Sequence, residues 1–86
     1  MLYDAKISGK LRDNDELMKF HGNVGERIRK TRKARLYSQA KLSRRSGLSQ
    51  SQLSRIETGE RHASLYSITK IADALQVSPD YLIKTE

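Results

Sequence analysis

An 86-residue chain with 36% hydrophobic and 31% charged residues has room for one small core and little for a separate catalytic domain. It contains no cysteine, which excludes disulfides and thiolate metal sites, and no apolar run approaches the ~20 residues of a membrane span. The net charge of +7 is gathered between residues 23 and 61, where eleven Lys/Arg face only Glu26, Glu57 and Glu60, and such a field attracts a polyanion: DNA, RNA or an anionic membrane.

Residues 1–22 balance four basic against four acidic side chains and read as an N-terminal arm. Asp13-Asn14-Asp15-Glu16 favours a short helix carrying Leu17, Met18 and Phe20 and ending at Gly22. Three roles stay open for the arm: packing on the core, dimerisation, or a disordered tail. Residues 1–10 lack the apolar segment of a signal peptide, so a cytoplasmic location is the default expectation.

The rest of the chain, 23–84, reads as one helical domain. Asn23 with Glu26 predicts a capping-box start for a helix running to about Arg35. Ser38 is placed to cap a second helix through Ser46, closed by Gly47. Ser49 is placed to cap a third over 50–58, closed by Gly59. Ser64 opens a fourth helix to about Leu75, and Ser78-Pro79-Asp80 a short fifth. Val24 and Ile28, Leu42, Leu53 and Ile56, and then Leu65, Ile68, Ile71, Ala72 and Leu75 supply the apolar stripes. Val77, Tyr81 and Leu82 are expected to cover the end of the core. Strand-like alternation is absent, and the expected fold is all-α with five short helices around one centre.

The informative stretch is residues 38–59. Two short helices joined by a tight turn containing Gly47 must cross steeply, which defines a helix-turn-helix. Ser43 and Ser46 are small where the helices approach, and Leu42, Leu48, Leu53 and Ile56 bury the inner face. The outer face of the third helix is then Gln50, Ser51, Gln52, Ser54 and Arg55. These amide, hydroxyl and guanidinium groups suit base edges: glutamine pairs bidentately with adenine, arginine with guanine, and serine with either. A plain solvated face more often carries Glu and Lys.

Residues 23–83 resemble the XRE-type, phage-repressor-like helix-turn-helix family. The match runs through residues 24–32, the whole of 38–59, and 64–82. The resemblance implies a compact lambda-repressor-like domain that binds double-stranded DNA as a transcriptional regulator, a repressor or autoregulator. It implies that Gln39 holds a phosphate and that Gln50, Ser51 and Arg55 meet base edges. Gln52 and Ser54 then lie nearer the backbone or flanking bases. Lys41, Arg44 and Arg61 are expected at phosphates, and Arg32 and Glu57 match a pair that the family joins as a salt bridge. It also implies a homodimer on a pseudo-palindromic site, with Tyr81, Leu82 and Ile83 as dimer candidates. Three positions depart from the pattern. Leu36 and Tyr37 replace the usual Gly and Leu, and leucine tolerates positive φ poorly. Thr31 replaces an apolar residue. Lys41, Arg44 and Arg45 make the second helix more basic than is typical, which implies a steeper salt dependence.

Other classes are weaker. No phosphate-binding glycine loop or metal-spaced histidine cluster suggests an enzyme, a cofactor or a metal; His21 and His62 are 41 residues apart and read as surface residues. An antitoxin-type protein-interaction module would need its partner surface in residues 1–22. RNA readers stack bases on aromatics, and Tyr3, Phe20, Tyr37, Tyr66 and Tyr81 are scattered.

Overall fold

In the computed structural model, which describes the backbone of residues 6–84, five helices follow in chain order with no strand among them. They are α1 (Lys6–Ala34), α2 (Gln39–Ser46), α3 (Gln50–Thr58), α4 (Leu65–Leu75) and α5 (Pro79–Ile83). Four start as the serines dictate. The hydroxyls of Ser38, Ser49, Ser64 and Ser78 accept from the amides of Lys41, Gln52, Ser67 and Tyr81, each from an extended backbone. Gly47 and Gly59 close α2 and α3 at φ 81° and 84°, the left-handed region where a side chain is unwelcome.

The first helix differs from expectation. Asn23 caps nothing and Gly22 stops nothing, because α1 runs unbroken for 29 residues. A mid-helix glycine costs only about 1 kcal/mol and asparagine less. Breaking the helix there would take Phe20 out of register with Val24 and Ile28, and these three pack at i, i+4 and i+8 on the core. At 1.5 Å per residue α1 is about 43 Å long. It therefore accounts for a molecule of 46 × 23 × 20 Å, its N-terminal half extending past the body made by the other helices. Of the arm, residues 1–5 lie outside the described residues.

The core is Val24, Ile28, Leu42, Leu48, Leu53, Ile56, Ile68, Ile71, Ala72, Ala74, Leu75 and Leu82, with α1 lying chiefly against α3. Leu65, expected in the buried stripe, is 76% exposed. Three helical steps fall about 60° short of a full turn, so Leu65 stands roughly 120° away from Ile71 around the axis. Tyr81 is also exposed, with the Arg27 guanidinium 5.4 Å from its ring centre. Thr31 is buried without a lost hydrogen bond, since its hydroxyl donates to the Arg27 carbonyl at 2.7 Å.

Leu36 occupies the strained place that its identity warned of. Tyr37 N–H donates to Arg32 O at 3.0 Å and Leu36 N–H to Lys33 O at 2.9 Å, the paired bonds of a Schellman ending. That geometry puts Leu36 at φ 63° with its side chain 90% exposed, so no burial offsets the strain. A left-handed leucine costs roughly 1–2 kcal/mol, and glycine gives back part of the relief as unfolded-state entropy. Leu36→Gly is therefore expected to stabilise by about 0.5–1 kcal/mol, raising Tm by roughly 4 °C. Thermal melts followed by circular dichroism test this, and a lower Tm would contradict the strain.

Candidate nucleic-acid interface

The turn between α2 and α3 is stitched by two serines around one leucine. Ser43 Oγ donates to the Leu48 carbonyl, and buried Ser46 Oγ accepts from the Leu48 amide at 3.2 Å. Small size explained these serines only in part; their hydroxyls also satisfy the polar groups of a tight reversal. With Leu42, Leu48, Leu53 and Ile56 buried beneath it, the crossing of α2 and α3 is set by the core.

The register of α3 follows. Leu53, Ile56 and Glu57 face inward, while Gln50, Ser51, Ser54 and Arg55 are exposed on the opposite side and Gln52 is half-buried. Arg61 is exposed, and its main-chain N–H donates to the Arg55 carbonyl at 3.2 Å. The link after α3 thus folds back beside the outward face. Arg44 is exposed on α2. Lys41 is half-buried, its Nζ 4.4 Å from the centre of the Tyr37 ring, which Arg45 also overlies at 5.5 Å. Lys41 and Arg45 stand one turn apart on α2, and both lie over the ring of Tyr37, which precedes the Ser38 cap, so the tyrosine serves as a platform for two cations.

Beneath the outward face, one buried network ties three helices together. Arg32 Nε donates to Glu57 Oε2 at 2.7 Å and Nη2 to Oε1 at 3.0 Å, a two-pronged pair in which the side chains are 9% and 2% exposed. Arg32 Nη1 donates to the Tyr37 carbonyl at 2.9 Å. Gln39 Nε2 donates to Glu57 Oε1 at 3.0 Å. Sequence reasoning placed Gln39 at a phosphate alone and missed this second commitment. An amide nitrogen has two hydrogens, and this bond uses one of them.

Among the described residues no three His, Asp or Glu side chains gather as a metal site requires, and no helix is long and apolar enough to cross a membrane. The histidines do meet: the His21 and His62 rings stack at 3.7 Å between centres and 8° between planes. Their separation in sequence concealed this.

Five helices, a tight Gly47 turn between the packed α2 and α3, and an exposed polar face on α3 define a helix-turn-helix domain of the lambda-repressor-like kind. The chain belongs to the helix-turn-helix family, whose model matches residues 28–82. It is 33% identical over 60 residues to an SPbeta prophage-derived HTH-type transcriptional regulator, YonR, of Bacillus subtilis, covering 70% of this chain and 56% of that protein. It is 39% identical over 59 residues to a transcriptional regulator in the ATPase CF(0) region of Rhodospirillum rubrum, covering 69% and 55%. The chain thus spans about half the length of these relatives. Among solved structures, it is similar to the restriction-modification controller protein C.AhdI of Aeromonas hydrophila, at TM-score 0.70 and 39% identity over 71% of this chain and 92% of that one. It is also similar to the P22 c2 repressor, solved with a synthetic operator, at TM-score 0.67 and 38% identity over 73% and 96%.

Proposed function

We propose that this chain is a sequence-specific double-stranded DNA-binding transcriptional regulator, a repressor or autoregulator, acting in the cytoplasm as a homodimer on a pseudo-palindromic site. The observation that carries the reading is the exposed face of α3, which offers Gln50, Ser51, Ser54 and Arg55 on a helix held by the core and by Glu57. Gln50, Ser51 and Arg55 meet base edges in the major groove; Gln52 and Ser54 lie nearer the backbone or flanking bases. Gln39, Lys41, Arg44 and Arg61 take phosphates, Gln39 with its remaining amide hydrogen. Half-sites would lie about one helical turn, ~34 Å, apart. No catalytic step, cofactor or metal enters this reading, and residues 1–22 enter it only as an arm. It is preferred to a partner-binding module because the polar surface built on the fold is on α3. Binding blocks polymerase by occupancy.

Sequences selected from a random duplex pool test this directly. Against the selected site, Arg55→Ala is expected to cost about 1–3 kcal/mol and to relax preference at one base pair. Lys41→Ala and Arg44→Ala are expected to weaken all sequences alike and each to flatten the salt slope by about 1. Uniform weakening by Arg55→Ala would remove its base-reading role, and a pool that yields no consensus would overturn sequence-specific binding.

A further inference from the structure

The stacked histidines sit where the extended part of α1 meets the link that follows α3. His21 is half-buried on α1, with the Phe20 ring edge-on to it at 5.3 Å, and His62 is exposed on the link. One step away the backbones close in, a Cβ built on Gly59 lying 3.2 Å from the Gly22 Cα. Helix and link therefore touch through two imidazole faces beside a main-chain approach, with no direct ion pair or hydrogen bond between the two side chains. Stacked neutral imidazoles attract, whereas two imidazolium ions at 3.7 Å repel.

We propose that the His21–His62 stack is a proton-released latch that holds the middle of α1 against the link after α3 while both rings are neutral. The charged groups around it do not compensate a second positive charge. On α1 the positions one turn from His21 are Leu17, Met18, Val24 and Gly25, none of them charged, and Lys19 beside it is exposed. On the link, exposed Glu60 and Arg61 precede His62 with opposite signs, and uncharged Ala63 follows it. Burial first, and the charge of His62 second, lower the proton affinity of His21 from the usual 6.5. The folded chain thus takes up this proton at lower pH than the unfolded chain does. The latch contributes fully above pH 6.5 and is lost progressively below it.

Its release would loosen the link that carries Arg61 and the turn closing α3, so the device lies beside the α3 face without depending on what that face binds. The test is an NMR titration of the full chain. It follows the two imidazoles and, at about pH 7.5 and about pH 5.5, the amide protection of residues 16–22 and 59–63 relative to intrinsic exchange. Both segments are expected to lose protection together, several-fold, as the rings protonate, while α4 keeps its own. His21→Phe, which stacks but cannot be protonated, should abolish the acid step. Independent titration of the rings with unchanged protection, or an acid step that survives in His21→Phe, would overturn the latch. If that variant does not fold, the wild-type titration alone still decides, through whether protection follows ring protonation.

Discussion

Glu57→Ala is expected to destabilise the fold by about 3–5 kcal/mol, because it leaves the Arg32 guanidinium buried with only the Tyr37 carbonyl as partner. At roughly 0.05–0.15 kcal/mol per residue, a chain of this size has only about 4–13 kcal/mol in total. The variant should therefore be close to unfolded in mild urea. The cost belongs to the orphaned charge more than to the pair. Two charges taken out of water gain little over an apolar pair of similar volume. The double variant Arg32→Met/Glu57→Leu should accordingly be more stable than either single change. Urea melts of the four proteins close the cycle, and a Glu57→Ala loss below ~1 kcal/mol would show that the network does not hold the fold. The stable double variant separates stability from function: its Gln39 amide has lost the Glu57 anchor and should bind DNA more weakly although the fold survives.

What the sequence made legible, and what it hid, follows from how far each signal reaches. The serine caps act over three residues, and Ser38, Ser49, Ser64 and Ser78 each start a helix where local chemistry puts it. The αL glycines act over one residue and were equally plain. The outward register of α3 followed from Leu53 and Ile56 facing in. Signals at 22–23 misled because Gly22 and Asn23 are weak stops, worth less than the continuous Phe20–Val24–Ile28 stripe. Contacts between residues distant in sequence had no local mark at all. His21 against His62, Gln39 on Glu57 and the pair of cations over Tyr37 depend on side-chain placement. The Arg32–Glu57 pairing, 25 residues apart, came into view through resemblance and not through spacing. Leu36 lies between these cases: its identity warned of strain, and only the backbone shows that the chain accepts it.

Gly25→Ala and Gly22→Ala, three residues apart on one helix, are expected to change stability in opposite directions. A Cβ on Gly25 would lie 2.2 Å from the Ile56 carbonyl oxygen and 2.8 Å from that of Glu57. Both obstacles are main chain, so no side-chain rotation relieves them, and α1 and α3 must move apart. Overpacking usually costs 1–3 kcal/mol. Here the shift also pulls Arg32 from Glu57, which are held at 2.7 Å, so about 3 kcal/mol or more is expected despite alanine's better helix propensity. At Gly22 nothing lies within 4 Å of the added carbon. There propensity acts unopposed, and alanine should stabilise by about 0.5–1 kcal/mol. The second result tests the continuity of α1, because a glycine ending a helix at residue 22 would sit at positive φ, where alanine destabilises. Urea melts of the two variants read both signs. A tolerated Gly25→Ala would mean that α1 and α3 are not in backbone contact, and α3 would then lose the support that fixes the direction of Arg55.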